Sequence, residues 1–270
     1  MAGVAVIGNT TRDVVAGGPP RVGGPAFHGG RALRVLGVRG RIVTRCAPAD
    51  RRSLLTRVVA LGLPVAWSDA ERTAAFSFHY EGDERIMSID QLGDPWTPAD
   101  VRGWAGRGLA RAEWVFVGGV ARSDFPAETL AVLARDHRLL VDAQGLARAA
   151  RTGPLQLDDD YDREILRHAS VLKLGEEEAH VLAGSVDPDA LRAIGVPEIV
   201  VTFGSRGSLV VAGPRVERVI VRPVSKADPT GAGDAYCVAY LDARAAGHSP
   251  GSAGRRASAL VSSLLIGRLR

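Results

Sequence analysis

The residues with the clearest chemical potential lie in one short segment, Asp228-Pro-Thr-Gly-Ala-Gly-Asp234. Its Asp-Pro pair favours a turn, because the residue before a proline is disfavoured in the α conformation. Small residues then recur at helical spacing beyond the segment, so a helix should begin near its glycines. The free N–H groups and the dipole of a helix N-terminus favour an anion. We therefore predict an anion site at the backbone of Gly231, Ala232 and Gly233.

Asp234 directly follows this anion site. A carboxylate beside a bound phosphate is electrostatically unfavourable, unless it acts on the nucleophile that attacks the phosphate. Phosphoryl transfer to an alcohol needs donors for the developing negative charge and a base for the hydroxyl proton. We expect the backbone of 231–233 to supply the donors and Asp234 to be the base. The alternative is that Asp234 only caps the helix, which is a common role of Asp.

Several other motifs are excluded by their context. Gly247-His-Ser-Pro-Gly251 has the spacing of a hydrolase nucleophile elbow, but a helix rather than a strand precedes it and no His follows it. Ser249 and the following proline are better explained as an N-cap and first helical residue. The sequence contains no Gly-Lys dipeptide and hence no P-loop, and Gly231–Tyr236 lacks the third glycine of a dinucleotide fingerprint.

Composition argues against a nucleic-acid or membrane protein. The net charge is +4 over 270 residues, but the basic residues are scattered and aromatic residues make up only 5%, so no stacking platform is expected. No apolar stretch approaches the length of a membrane span. Cys46 and Cys237 are isolated in apolar contexts, which favours a reduced thiol in the cytoplasm over a disulfide.

Strand-like and helical segments alternate along the chain. Short β-branched runs predict strands at Val4–Gly8, Arg41–Thr44, Trp114–Val117, Leu139–Asp142, Val171–Leu174 and Ile199–Phe203. Helical spacing predicts helices at Gly29–Leu36, Ser53–Leu61, Ala127–Asp136, Glu176–Leu182 and Asp189–Ala193. This alternation predicts an α/β fold with a doubly wound, mainly parallel sheet, covered by helices on both faces.

One early region departs from the alternation. Thr73–Tyr80 and Arg85–Asp90 alternate in polarity around Glu81-Gly-Asp-Glu84, which predicts a β-hairpin. A second hairpin is predicted at Ser208–Val211 and Arg218–Val221. We expect residues 1–270 to form one domain, with a small β lid made by the hairpin within about 73–90 and by the segment after residue 13. The alternative for the early hairpin is an ordinary sheet edge.

Taken together, these motifs resemble the ribokinase-like (PfkB) carbohydrate kinases. The segment ending at Asp234 matches the family signature Asp-x-Thr-Gly-Ala-Gly-Asp at every fixed position. Other matches follow in the family's order along almost the whole chain: Val6–Asp13, Gly23–Gly37, Val171–Ala179 and Val200–Gly207.

The resemblance implies an ATP-dependent kinase that uses Mg²⁺. It assigns substrate binding to Asp13, Gly24 and His28, and magnesium to Glu178. It assigns nucleotide binding to Thr202, Gly204, Ser205, Gly207 and Thr230. It also allows a homodimer, because lids of the family often pair between subunits.

Two positions depart from the family pattern. His28 stands where the family usually has Asn, so the substrate contact there must differ. Gly175 replaces the Asn of an Asn-x-x-Glu motif that organises magnesium-bound water and phosphate, although Glu178 is retained. The short segment after Ser258–Leu265 is also expected to make the adenine side compact.

Within the family, the sequence is most similar to myo-inositol kinases. They share its Gly8-Asn9 followed by Asp13, and a Val-Asp-x-Gln segment seen here at Val141–Gln144. Gln144 and Arg148 lie after a strand, where doubly wound sheets bind ligands. An amide can bind polyol hydroxyls and a guanidinium can bind phosphate; the alternative for Arg148 is a solvated helix residue.

The expected partners are thus a small polyol or sugar and ATP. Two other functions remain open: a nucleoside or sugar-phosphate kinase of the same family, and a ligand-binding relative with little catalysis.

Overall fold

The computed structural model of the protein describes residues 3–81, 84–221 and 230–266. The turn expected at Asp228 and Pro229 lies outside the described residues.

Runs of β-branched and aliphatic residues form fourteen strands within the described ranges. They are β1 (Gly3–Gly8), β2 (Thr11–Val15), β3 (Arg21–Gly23), β4 (Gly40–Cys46), β5 (Val65–Asp69), β6 (Ala75–Glu81), β7 (Glu84–Gln91), β8 (Ala112–Gly118), β9 (Arg138–Asp142), β10 (Gly153–Pro154), β11 (Val171–Gly175), β12 (Glu198–Thr202), β13 (Ser208–Ala212) and β14 (Arg215–Val219).

The α-helices of the described residues are α1 (Pro25–Leu36), α2 (Thr56–Val59), α3 (Pro98–Arg102), α4 (Trp104–Leu109), α5 (Ala127–Leu133), α6 (Gln144–Ala147), α7 (Glu176–Ala183), α8 (Pro188–Ala193), α9 (Ala232–Ala245) and α10 (Pro250–Leu265). Short 3-10 turns span Pro48–Asp50, Arg163–His168 and Gly204–Arg206, and a π turn spans Arg51–Leu55. None of the described helices is long and apolar enough to span a membrane.

Nine strands form a central sheet in the order β14-β13-β12-β11-β9-β8-β1-β4-β5. The strands from β12 to β5 pair in parallel, and β13 and β14 add an antiparallel edge. This is an α/β architecture with a mainly parallel sheet, as the alternation of strands and helices predicted. The hairpin predicted at 208–221 is formed by β13 and β14.

Alternate side chains along the inner strands enter two separate cores. Val4 and Val6 pack with α1, α9 and α10, whereas Ala5 and Ile7 pack with the helices on the opposite face. This period of two follows from the pleat of a strand buried on both faces. Helices therefore cover both faces, and the carboxyl ends of the parallel strands come together at one edge.

A second, five-stranded sheet has the order β10-β7-β6-β2-β3. The early hairpin is confirmed, because β6 and β7 pair in antiparallel fashion, and β2 beside them contains Asp13. The strands β2 and β3 thus join β6 and β7 in one layer. The strand β5 was not predicted from the sequence, since its partly exposed Val-Ala-Trp-Ser-Asp pattern lacks a continuous apolar run.

Candidate active site

A cavity lies where the second sheet meets the carboxyl ends of the central strands. It is lined by Thr11, Asp13, Gly24, Pro25, His28, Phe76, Met87, Val120, Gln144, Arg148, Thr230, Gly231 and Asp234. Eight of these thirteen residues were predicted from the sequence as site residues: Asp13, Gly24, His28, Gln144, Arg148, Thr230, Gly231 and Asp234. Residues up to 223 positions apart in the chain are brought together at the edge where doubly wound sheets bind ligands.

Asp234 lies in the first turn of α9, beside the start of the helix. Gly231 is the N-cap residue, and no side chain caps the helix. Asp234 Oδ1 is buried and has no hydrogen-bond partner among the described residues. These two observations argue against the capping role and leave the carboxylate available to a ligand hydroxyl.

The environment of Asp234 brings its pKa close to neutral pH. Its pKa is raised to about 7, chiefly by burial and also by the nearby Asp142 carboxylate, while Lys173 and Arg148 act in the opposite direction. A catalytic base works best when its pKa lies near the operating pH. The N-terminus of α9 also directs backbone N–H groups at any anion placed next to this carboxylate.

Asp13 is fixed by its neighbours in the second sheet. Thr11 Oγ1 donates to Asp13 Oδ1 at 2.7 Å. A Cβ atom at Gly23 would lie only 2.0 Å from Asp13 Oδ2, so only glycine allows the paired strand to approach this carboxylate. Gly23, the first glycine of the Gly23-Gly24 signature, therefore leaves room for the Asp13 carboxylate.

His28 packs directly beneath Gly231–Gly233, the predicted anion site, which we call the anion turn. Gly231 has a φ of 78°, and a Cβ atom there would lie 2.4 Å from His28 Nδ1. The imidazole meets the Phe27 ring edge-on, at 5.4 Å between centroids. At the position where the family usually has Asn, this chain thus places a ring that lines the cavity and supports the turn.

Gln144 begins the short helix α6, which follows β9, and Arg148 directly follows the end of that helix. The backbone N–H of Gln144 donates to Asp142 Oδ1 at 3.3 Å. Arg148 is the C-cap residue of α6 and lines the cavity, so it is more than a solvated helix residue.

A buried ion pair lies next to Asp234, and sequence reasoning did not single it out. Lys173 Nζ donates to Asp142 Oδ1 at 3.2 Å and to Asp142 Oδ2 at 3.4 Å. The two residues face each other in the parallel pair β9 and β11. Both lie inside segments quoted for the family resemblance, but nothing in the sequence indicates that they pair.

Apolar side chains that sequence reasoning also missed form the opposite wall of the cavity. Phe76 comes from β6, Met87 from β7, and Val120 follows β8. Alternation in the predicted hairpin indicated that one face would be apolar, but not which surface it would cover.

The expected metal and nucleotide residues lie along the ends of β11 and β12. Glu178 is half-buried and accepts a hydrogen bond from the backbone N–H of Gly175 at 2.6 Å, so the turn closes without the Asn side chain. Within the described ranges, no three His, Cys, Asp or Glu side chains cluster as a metal site. Mg²⁺ is often held by one or two carboxylates together with substrate phosphates, and a single Glu178 fits that pattern.

Four of the predicted nucleotide residues do not line the cavity. Thr202 Oγ1 donates to the carbonyl of Leu174 at 3.2 Å. Gly204 and Ser205 are exposed in the turn after β12, and Gly207 is buried at its end. Thr230 alone lies in the cavity lining.

A second cavity adjoins the first and shares His28, Thr230 and Gly231 with it. Its remaining wall is mostly apolar and comes from α1, α9 and α10: Arg31, Ala32, Val35, Ala232, Ala235, Val261, Leu264 and Leu265. The anion turn therefore lies between a cavity with a more polar lining and one with a more apolar lining.

Comparison with known proteins matches this arrangement to one family and one fold. The sequence model of the pfkB family of carbohydrate kinases matches residues 111–268, more than half of the chain. A pyrophosphate-dependent kinase in the ribokinase family, solved with a pyrophosphate analog and myo-inositol, superposes with a TM-score of 0.83. It is 24% identical, and the match covers 97% of this chain and 94% of that one.

Two further structures have the same fold. Ribokinase of Arabidopsis thaliana with ribose and ATP gives a TM-score of 0.76 at 17% identity, covering 98% of this chain and 93% of that one. Phosphofructokinase-2 of Escherichia coli, in its tetrameric inhibited form, gives 0.74 at 17% identity, covering 98% and 95%.

Proposed function

Because the chain belongs to the pfkB family of carbohydrate kinases, we propose that it transfers a phosphoryl group from ATP to a hydroxyl of a small polyol or sugar. Myo-inositol is the acceptor that the sequence favours. The observation that carries the proposal is Asp234. Its buried Oδ1, without a partner among the described residues, lies beside the N-terminus of α9 in the same cavity as Asp13 and Gln144.

The two walls of the cavity suit a polyol. Asp13 and Gln144 accept and donate hydrogen bonds to hydroxyls, while Phe76 and Met87 cover its C–H face. Asp234 takes the proton of the hydroxyl that attacks the phosphorus atom. The second sheet, which supplies the apolar wall, is proposed to act as a lid that excludes water.

The donor phosphates are proposed to lie at the backbone N–H groups of Gly231, Ala232 and Gly233, where they stabilise the developing charge. Glu178 would hold Mg²⁺ through water, and the metal would neutralise phosphate charge. The rest of the nucleotide is assigned to Thr202, Gly204, Ser205, Gly207 and Thr230. The adjoining apolar cavity supports a nucleotide donor, because a base or ribose placed there would contact Val261 and Leu264.

Pyrophosphate is a second candidate donor. Three solved structures with TM-scores of 0.82 to 0.83 are kinases described as pyrophosphate-dependent, one of them a myo-inositol-1 kinase converted to a myo-inositol-3 kinase by two substitutions. Pyrophosphate offers the same reacting phosphoryl group to the anion turn and needs no base-binding cavity.

One experiment tests acceptor and donor together. The purified protein is incubated with MgCl₂ and either ATP or pyrophosphate, against a panel of myo-inositol, other polyols, sugars, sugar phosphates and nucleosides. Product is detected by mass spectrometry, and Asp234→Asn is the control. Turnover of a nucleoside or sugar phosphate instead of a polyol would show the substrate assignment to be wrong. Binding of a panel member without turnover with either donor would contradict the kinase proposal and favour a ligand-binding relative.

A further inference from the structure

The pair of Lys173 and Asp142 is an unusual structural element. Lys173 is 6% exposed and Asp142 is 2% exposed. Removing two charges from water is costly, and the attraction between them often fails to offset that cost. Two apolar residues of similar volume would stabilise the fold at least as well, so stability alone does not account for the pair.

The position of Lys173 connects the pair to the reacting groups. Lys173 Nζ lies 3.2 Å from the point that a Cβ atom would occupy at Gly233, directly beneath the anion turn. The chain has 34 basic residues, and only Lys173 and Lys226 are lysines. The compact ammonium at this site is therefore an exception in an arginine-rich protein, and a planar guanidinium is larger and less easily placed beneath a backbone turn.

Asp234 is surrounded by charges from several elements. Asp142 ends β9, Lys173 lies in β11, Arg148 follows α6 and Asp13 lies in β2, and each acts on Asp234. His28 of α1 lines the same cavity, and Cys237 and Glu178 contribute to the field around Lys173. Burial raises the pKa of the Cys237 thiol well above its ordinary value, so that group stays neutral.

We propose that Lys173 and Asp142 are opposed positioning residues for the base: Lys173 favours the ionised carboxylate of Asp234, and Asp142 favours its protonated form. This inference deepens the proposed function, on which its catalytic meaning rests. Lys173 is held at the turn by Asp142, whose two carboxylate oxygens accept hydrogen bonds from its ammonium. The two together set the pH range over which Asp234 accepts a proton.

The physical reasoning gives each substitution a sign. Lys173→Met removes a nearby positive charge while keeping the chain length, so the carboxylate of Asp234 becomes less favourable and its protonation midpoint rises. Asp142→Asn removes a negative charge, so the positive charge of Lys173 is no longer offset and acts more strongly on Asp234. The protonation midpoint of Asp234 therefore falls. A charge within about 4–6 Å of a carboxyl group shifts its protonation midpoint by roughly one to three pH units.

The midpoint is measured without relying on activity. Unfolding by urea is followed from pH 4 to pH 9 in the wild type, Lys173→Met, Asp142→Asn and the double variant, each with and without Asp234→Asn. The pH at which the stability difference caused by Asp234→Asn levels off reports the ionisation of Asp234 in that background. The acid limb of the pH profile of kcat/KM gives a second measurement of the same protonation midpoint.

We expect the midpoint to rise by roughly one pH unit or more in Lys173→Met and to fall by a similar amount in Asp142→Asn. Lys173→Arg should keep the midpoint nearer to the wild-type value than Lys173→Met does. The proposal is overturned if both single variants move the midpoint in the same direction, or if neither moves it.

Removing one charge of the pair leaves the other charge buried and unpaired, whereas the double variant leaves no unpaired charge. Where Lys173→Met alone does not fold, comparison of Asp142→Asn with the double variant isolates Lys173. If the wild type turns over no acceptor, the kinase proposal fails, but the stability measurement still tests the proposed effect of Lys173 and Asp142 on Asp234.

Discussion

Replacing Asp234 by Asn should remove activity and stabilise the fold at the same time. Burial, with Asp142, raises the pKa of Asp234 from 3.8 to about 7 in the folded state. A folded-state pKa above the unfolded value means that this group's stabilisation is fully present below pH 3.8 and is lost as pH rises through about 7. A shift of about 3 units at about 1.36 kcal/mol each gives roughly 4 kcal/mol. Asn does not ionise and avoids this loss.

The expected pattern is specific in pH. The difference in unfolding free energy between Asp234→Asn and wild type should be near zero below pH 4. It should grow by about 1.4 kcal/mol per pH unit and level off above pH 7, near 4 kcal/mol. Phosphoryl transfer by the Asp234→Asn variant should be roughly 10²- to 10⁴-fold slower than transfer by the wild type. Urea titrations at each pH give the free energies.

Asp159, an exposed carboxylate, provides the matched control, and Asp159→Asn should show no such pH dependence. A difference for Asp234→Asn that is constant with pH, or a variant less stable than wild type at pH 8, would refute the argument. In that case burial is not what perturbs this carboxylate.

Three further changes test other parts of the site. Met87→Ala should raise KM for the acceptor roughly fivefold, because it removes about 1 kcal/mol of apolar contact, with KM for the donor unchanged; equal effects on both would contradict this. Gly231→Ala should destabilise the fold by more than Gly213→Ala, since both glycines have positive φ but only a Cβ at Gly231 meets the His28 ring, at 2.4 Å; urea titrations that give equal losses would rule out this clash. Val261→Trp fills the second cavity and should raise KM for ATP at least fivefold, but leave KM for pyrophosphate unchanged; an unchanged KM for ATP would show that the base binds elsewhere.

Local chemistry explains which parts of the site the sequence could predict. The anion turn and Asp234 are contiguous, so a turn, a helix start and a carboxylate could be recognised from neighbouring residues alone. Asp13 and Gln144 each follow a predicted buried strand, and carboxyl ends of parallel strands share an edge. The early hairpin followed from alternation, and its register in the structure pairs Phe78 with Met87.

The remaining features depend on pairings between distant segments. Lys173 and Asp142 are 31 residues apart, and each lies in a mainly apolar strand, so a local pattern does not show that they meet. His28 could be recognised as a departure, but its support of Gly231 depends on how α1 packs against α9. The segment at 51–59 also differs, because a π turn precedes only a short α2 where one longer helix was predicted.

The buried charges of the site explain why this arrangement is costly to the fold. Asp234, Asp142 and Asp13 place negative charge around a turn that is proposed to bind a phosphate, and Lys173 and Arg148 are the cations that act on Asp234. Burial brings the pKa of Asp234 close to neutral pH, as the proposed base requires, because it makes the ionised form of the carboxyl unfavourable. The positive charge beneath the turn acts on both difficulties, since it favours the carboxylate and an incoming phosphate alike. A site with Met at 173 and Asn at 142 would fold with fewer buried charges, but the ionisation of its base would then depend on Arg148 alone among these cations.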